Sequence, residues 1–298
     1  MYFATYAQNN REAIGIINPE TRRIIPVTWI LGDNTGGTML GFIENCNGEI
    51  LNKIAAFIGD DGNWSQVSID CDDLQLCAPI PQARRNIICL GLNYRDHAEE
   101  LKDSLGKQAE LSKAPVYFTK MASHIIGCTD YIDNHSGVTS EIDYEVELAV
   151  IIGKEGKNIS ITQAEDYIFG YSILNDLTAR DLQKDHNQWM KGKSLDTFTA
   201  MGPWIVHKSK LPLPIKLNIT CKVNDELRQN SNTKNLIFDI PYIISNLSKG
   251  MTLKPGDIIA TGTPEGVGMG FKPPRYLKSG DRIVCSIDKI GELVNILK

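Results

Sequence analysis

The stretch "DYEVELAVIIG" at residues 143–153 decides what kind of sheet this chain builds. It ends in a continuous apolar run, which is typical of a strand that is buried on both faces. Yet Glu145 and Glu147 lie two residues apart within it, and alternate residues of a strand point to the same face. Two neighbouring carboxylates on a half-buried face repel each other and lose hydration. A bound divalent cation would offset that cost.

Two further acids continue the alternation upstream. If the strand begins early, Glu141 and Asp143 share the face of Glu145 and Glu147. A charged face exposed to water is then the alternative interpretation of the run. The spacing alone does not choose among the four acids, and it gives no role to Glu141 or Asp143.

A third carboxylate is expected near a cation site. Asp176 in "ILNDLTARD" ends an apolar strand just before a predicted helix, a place where sites in sheet proteins often form. The alternative for Asp176 is an N-cap of that helix. Three carboxylates with no nearby His or Cys favour Mg²⁺, Mn²⁺ or Ca²⁺. So few protein ligands would leave positions open for water and substrate.

Composition excludes several classes of protein. The 298 residues suffice for one large domain or two modest ones, and the net charge of −5 argues against nucleic-acid binding. The sequence has no apolar run long enough for a membrane span and no signal-peptide pattern, so we predict a cytoplasmic protein without a membrane partner. The seven cysteines form no CxxC pair. We interpret them as reduced thiols rather than zinc ligands.

The chain divides at "CAPIPQARRN", where Pro79 and Pro81 mark a boundary. We predict a small N-terminal α+β domain at residues 1–80 and a catalytic domain at residues 85–298. In the second part, strands dominate and helices do not alternate regularly with them. That pattern favours an α+β fold with a large mixed sheet over a doubly wound parallel sheet.

Other segments carry candidate site residues. His97 and Glu100 in "GLNYRDHAEEL" lie three apart on a predicted helix, where a carboxylate can orient an imidazole as a general base. A surface pair is the alternative. Lys193 in "GKS" can bind an anion, but Asn187 occupies the position where a phosphate-binding loop needs glycine.

Three more stretches are less specific. Lys120 in "FTK" and Gln183 in "RDLQ" are unremarkable alone. The glycine-rich "ATGTPEGVG" is either a tight turn or a loop whose backbone N–H groups approach a ligand. No Gly-x-Ser-x-Gly motif occurs, which argues against a serine hydrolase.

Taken together, these segments resemble the fumarylacetoacetate hydrolase family. The resemblance covers about Arg85 to the C-terminus, and residues 1–80 match weakly. The matching segments occur in the family's order: "GLNYRDHAEE", "VYFTK", "DYEVELAVIIG", "NDLTARDLQ", "GKSLDTFTAMGPW", "LRQ", "GDIIATGTPEGVG" and "GDRIVCSIDKIG".

The resemblance implies a role for each candidate residue. The family's metal ligands fall on Glu145, Glu147 and Asp176. The His–Glu dyad of its lid helix falls on His97 and Glu100, within a predicted helix at residues 94–104. Substrate-binding and catalytic groups of the family fall on Lys193, Gln183, Lys120 and Thr263.

The resemblance also implies a fold and an activity. The fold would be a mixed sheet rolled into a barrel-like domain, in a homodimer. The activity would be cleavage of a C–C bond in a small 2-oxo acid through a metal-stabilised enolate, with Mg²⁺, Mn²⁺ or, in a crystal, Ca²⁺. No further acidic ligand precedes His97, so the chain looks like the shorter prokaryotic-type and acylpyruvate-cleaving members. The "NQW" insert at 187–189 looks more like the branch with oxaloacetate decarboxylases.

Oxaloacetate decarboxylation and acylpyruvate hydrolysis both remain open, because one site can support both reactions. A second alternative is an isomerase or hydratase of a 2-hydroxydienoate or 2-oxo acid. A third, of another class, is a non-catalytic ligand-binding or scaffold protein. The sequence does not indicate the substrate's tail, the native metal or the role of residues 1–80.

Overall fold

The computed structural model describes residues 1–8, 11–32, 37–100 and 113–298. The strands are β1 (Tyr2–Gln8), β2 (Arg11–Asn18), β3 (Arg23–Pro26), β4 (Ile69–Asp70), β5 (Gln75–Leu76), β6 (Ile87–Gly91), β7 (Val116–Lys120), β8 (Tyr131–Ile132), β9 (Ile142–Asp143), β10 (Val146–Ile152), β11 (Ile168–Asp176), β12 (Thr178–Ala179), β13 (Thr199–His207), β14 (Asn218–Val223), β15 (Glu226–Asn232), β16 (Ile258–Ala260), β17 (Arg282–Ile287) and β18 (Gly291–Leu297). The helices are α1 (Val27–Leu31), α2 (Met39–Asn45), α3 (Gly48–Ile58), α4 (Asp61–Val67), α5 (Arg95–Glu100), α6 (Arg180–Asp185), α7 (Met190–Lys193) and α8 (Ile240–Ser248).

The larger sheet contains strands from both predicted domains. Its order is β4-β3-β2-β1-β13-β11-β10-β16-β6-β7, with β5 paired to β1. Its neighbours are antiparallel except for β16 and β6, which are parallel, so the sheet is mixed and the predicted α+β class is confirmed. Because β1 pairs with β13, the sheet continues across the boundary that we placed at residues 80–85. That division into domains stays a prediction.

A smaller sheet, with the order β15-β14-β17-β18-β8, packs on one face of the larger one. Together their buried side chains form the main core. Among the described strands, no pairing joins the two ends of the larger sheet. The rolled, barrel-like shape therefore stays a prediction.

The central strand β10 is buried on both faces, as its apolar run predicts. All seven of its residues are buried. Leu148 and Val150 belong to the core beneath the smaller sheet, whereas Ala149 and Ile151 belong to a second core that includes Phe42 of α2. Alternate side chains of one strand thus supply two separate cores.

Three strand ends meet at the start of β10. Because β11 runs antiparallel to β10, its last residue, Asp176, returns to that point, and its N–H donates to the Glu145 carbonyl at 2.9 Å. Strand β16 is also antiparallel to β10, so the glycine-rich loop after it begins there. The Thr261 N–H donates to the Leu148 carbonyl at 3.1 Å. The sheet therefore gathers sequence-distant segments around the two glutamates.

No helix in the described ranges is long and apolar enough to cross a membrane. The cytoplasmic location stays a prediction.

Candidate active site

Three buried carboxylates lie at this meeting of strand ends. Glu145, Glu147 and Asp176 each offer one oxygen, and these oxygens lie within 4.8 Å of one another. The three residues are at most 5% exposed. The structure thus brings together the three side chains that we predicted as metal ligands, although Asp176 is about 30 positions away in the chain.

Two lysines and an arginine partly neutralise the cluster. The Lys193 Nζ donates to Glu145 Oε2 at 2.8 Å and to Asp176 Oδ2 at 2.9 Å. The Lys120 Nζ donates to Asp176 Oδ1 at 2.5 Å and to the Leu177 carbonyl at 3.0 Å. Lys120 was predicted to bind substrate, but in the structure it is wholly buried against Asp176.

Glu147 is the member of the cluster that forms no ion pair within the described residues. Its Oε2 accepts the Gly262 N–H at 2.7 Å. Burial, together with the charges of Asp176 and Glu145, raises the pKa of Glu147 well above its ordinary value. Burial also acts to raise the pKa of Glu145, but Lys193 and Arg180 lower it to about 2.

The buried side chain of Arg180, which we did not predict from the sequence, supports Glu145. The Arg180 guanidinium donates to Glu145 Oε1 at 2.6 Å, to Asp143 Oδ2 at 2.8 Å and to Gln183 Oε1 at 2.9 Å. Asp143 also accepts the backbone N–H groups of Gly268 and Met269, at 2.6 and 3.0 Å. Asp143 therefore acts as the counter-ion that ties Arg180 to the glycine-rich loop.

Glu141, the fourth acid of the alternation, lies outside this network. Its carboxylate is partly exposed and accepts from the Lys184 Nζ at 2.8 Å. The interpretation as a solvated charge holds for this acid.

The predicted dyad forms and is anchored by the same loop. His97 Nδ1 lies 3.1 Å from Glu100 Oε2, and the Gly266 N–H donates to Glu100 Oε1 at 2.9 Å. A Cβ built on Gly270 would lie 2.1 Å from Glu100 Oε1, so the carboxylate packs directly against this backbone. Among the described residues, His97 Nε2 has no hydrogen-bond partner. The part of the predicted lid helix beyond Glu100 lies outside the described residues.

A small pocket lies between His97 of the dyad and Glu145 of the carboxylate cluster, and Glu100, Glu147 and Asp176 are not on its lining. Its volume is about 20 Å³, close to the smallest space that holds a water molecule. The predicted residues on its lining are His97, Glu145, Gln183, Lys193 and Thr263. Arg180 and an apolar wall complete it.

Thr263 and Gln229 hold the glycine-rich loop against β10. The Thr263 hydroxyl donates to the Val146 carbonyl at 2.9 Å and accepts from the Gln229 amide at 2.8 Å. Gln229 Oε1 in turn accepts the Val146 N–H at 3.0 Å. Gln229 was not predicted as a site residue, although the quoted "LRQ" segment contains it.

The comparisons with known proteins agree with this architecture. The model for the fumarylacetoacetate (FAA) hydrolase C-terminal domain matches residues 86–298. The chain is 53% identical to oxaloacetate tautomerase YisK of Bacillus subtilis, over 99% of each chain. The chain belongs to the fumarylacetoacetate hydrolase family. The resemblance inferred from its motifs is therefore confirmed.

Two solved structures of the family extend the likeness to the whole chain. The fumarylacetoacetate hydrolase of Exiguobacterium antarcticum is 39% identical with a TM-score of 0.80, and the match covers 100% of this chain and 99% of that one. The maleylpyruvate hydrolase of Sphingobium sp. SYK-6, in complex with manganese(II) and pyruvate, is 30% identical with a TM-score of 0.77. That match covers 100% of this chain and 98% of the other.

The residues present fit the divalent cation that the family implies. Three convergent carboxylate oxygens are the hard ligands that Mg²⁺ and Mn²⁺ prefer. Glu147, which is buried beside two acids, is the ligand that such a cation would keep ionised.

Proposed function

We propose that this protein catalyses enol chemistry on a small 2-oxo acid, with oxaloacetate as the first candidate. The reactions would be interconversion of its keto and enol forms and, through the same enolate, cleavage of a C–C bond. One observation carries the proposal: His97, held by Glu100, faces Glu145 of the carboxylate cluster across a pocket of about 20 Å³. The 53% identity to an oxaloacetate tautomerase supports oxaloacetate as the candidate substrate, and it is the reason that we propose tautomerisation in addition to the cleavage reaction that we first expected.

The substrate would bind through its 2-oxo and carboxylate oxygens. Lys193 and Gln183 line the pocket and can donate hydrogen bonds to those oxygens. A divalent cation, Mg²⁺ or Mn²⁺, held by Glu145, Glu147 and Asp176, would supply Lewis-acid polarisation of the 2-oxo group.

His97 would move the proton. With Nδ1 engaged by Glu100, Nε2 can accept a proton from C3 of the keto acid and return it to the C2 oxygen, which gives the enol. In decarboxylation the C3–C4 bond breaks instead, CO₂ leaves, and its electron pair forms the enolate. His97 would take a proton from bulk solvent and deliver it to C3 of the enolate, which gives pyruvate. Neither reaction needs a water molecule, which suits a pocket of about 20 Å³.

The test is a panel of substrates with the metal-loaded protein. We expect the fast loss of the enol absorbance of oxaloacetate, with pyruvate release measured in parallel by a coupled dehydrogenase. His97→Gln should lower kcat by about 10²–10⁴-fold, the usual contribution of a general acid–base group. Met190→Ala, at a 42% exposed position near the site, is the matched control and should leave kcat unchanged. Equal kcat in wild type and His97→Gln would contradict the proposal.

The same panel separates the alternatives. An acylpyruvate and a 2-hydroxydienoate test hydrolysis and isomerisation. A non-catalytic ligand-binding role would show as tight binding of a 2-oxo acid with no turnover of any member. The homodimer, also part of this proposal, is measured by light scattering.

A further inference from the structure

The indole of Trp189 forms one side of the pocket. Trp189 immediately precedes α7, the short helix that carries Lys193, and its carbonyl accepts the Lys193 N–H at 3.2 Å. Its ring packs edge-on against Phe118 of β7, with centroids 5.3 Å apart and planes at 69°. The same short segment therefore supplies a polar group to the pocket and closes it with an aromatic ring.

The ring also lies directly on the backbone of Gly91, at the end of β6. A Cβ built on Gly91 would lie 2.5 Å from Trp189 Cζ3 and 2.9 Å from Cη2. Real Cβ atoms do not approach other atoms so closely, so this position accommodates the indole because it is glycine. The three atoms nearest to that Cβ all belong to Trp189.

The pocket has a polar side and an apolar side. His97, Gln183 and Lys193 lie among its polar groups, and Phe118 and Trp189 lie in its apolar wall. The polar groups would hold the 2-oxo acid head, so an unbranched tail longer than that of oxaloacetate would extend toward the apolar wall. Little space remains there, because the whole cavity measures about 20 Å³.

We propose that Trp189 determines substrate length, because its indole closes the tail end of the pocket and restricts the enzyme to short 2-oxo acids. This inference rests on the proposed function above. In a fitted apolar pocket, one methylene group changes kcat/KM by about 10- to 200-fold. An indole that closes the pocket should therefore strongly favour short substrates over long ones.

The test measures kcat/KM for oxaloacetate and for 2,4-dioxo acids with unbranched tails of increasing length. In the wild type, kcat/KM should fall steeply as the tail grows. In Trp189→Ala the ratio of the long-tail value to the oxaloacetate value should rise by at least about 10-fold, and in Trp189→Phe by less. Met190→Ala, on the next residue and 42% exposed, should leave the ratio unchanged.

A double-mutant cycle tests the contact itself. Gly91→Ala should displace the indole and change the tail preference in the wild type. In the Trp189→Ala background the same substitution should have little effect, because the atoms that it would meet are gone. If Trp189→Ala does not fold, Trp189→Phe and Gly91→Ala still decide the question.

The possible failures are distinguishable. If the wild type turns over no 2-oxo acid, the proposed function is wrong and the length filter falls with it. If it turns over oxaloacetate but the tail preference is the same in all Trp189 and Gly91 variants, the length filter is wrong and the proposed function stands.

Discussion

Replacing Glu147 by glutamine should stabilise the metal-free protein and weaken metal binding. Glu147 is 1% exposed, and burial and the neighbouring Asp176 and Glu145 raise its pKa well above the ordinary 4.5. Between pH 4.5 and that raised pKa, the folded state binds a proton that the unfolded state releases. Stability therefore falls as pH rises through this window. Glutamine keeps the acceptor for the Gly262 N–H and removes the titration.

The change in the free energy of unfolding follows from the difference in the Glu147 pKa between the folded and unfolded states. Each pH unit above 4.5 costs the wild type about 1.4 kcal/mol until the raised pKa is reached, so the cost at pH 7 is at most roughly 3.5 kcal/mol. Coulomb's law gives a similar size, since two charges 4.8 Å apart interact by roughly 3–4 kcal/mol at an effective dielectric constant near 20. Lys193 pairs with both neighbours, so we expect a net gain of about 1–3 kcal/mol for Glu147→Gln at pH 7.

The assay is urea unfolding of chelator-treated protein at several pH values, followed by titration with Mg²⁺ or Mn²⁺. The gain from Glu147→Gln should shrink toward pH 4.5 and grow toward pH 7. The wild type should gain about 2.7 kcal/mol at a metal concentration of 100 Kd, and the variant should lose most of this gain. Glu155→Gln, three residues beyond β10 and exposed, is the matched control. A variant that is less stable than the wild type at pH 7 without metal would refute the reasoning.

Three further predictions concern the same network. Below the raised pKa of Glu147, metal binding should release a proton from its carboxyl group, because the bound form must be ionised; calorimetry in buffers of different ionisation enthalpy measures this. Asp143→Asn should cost about 3–5 kcal/mol in urea unfolding, because it breaks a buried ion pair, whereas Glu141→Gln, in a partly exposed pair, should cost less than about 1 kcal/mol. Similar losses would contradict the assigned roles. Gly270→Ala should push aside the Glu100 carboxylate and lower kcat with little change in Tm; an unchanged kcat would argue against the anchored dyad.

The sequence predicted the cluster of three carboxylates better than it predicted the residues that hold them in place. The apolar run of β10 shows from its composition that both faces are buried, and a carboxylate there needs a partner. The family resemblance then selected Glu145 and Glu147 from four acids. Arg180 could not be found in this way, because its pairing with Asp143 depends on the ladder between β9 and β12.

Pairing between strands that are far apart in the sequence also explains which features of the fold the sequence did not predict. Nothing local in "YFATYAQ" indicates that β1 pairs with β13, some 200 residues later. Likewise, nothing local predicts that the ammonium of Lys120 on β7 reaches Asp176 on β11, since β6, β16 and β10 lie between these two strands in the sheet. The spacing of apolar residues along the chain predicts helices and strands. The partner of a buried charged side chain depends instead on how distant strands pair, which that spacing does not reveal.

The charges of the cluster explain why a metal and an acidic substrate would belong together. When Asp143, Glu145, Glu147 and Asp176 are all ionised, they outnumber Lys120, Arg180 and Lys193 by one negative charge, and Glu147 is the acid without an ion pair among the described residues. A bound dication would keep Glu147 ionised and leave the site with one excess positive charge. The carboxylate beside the 2-oxo group carries one negative charge, so its binding would neutralise the site. Since an uncompensated buried charge is costly, each partner should bind more tightly when the other is present.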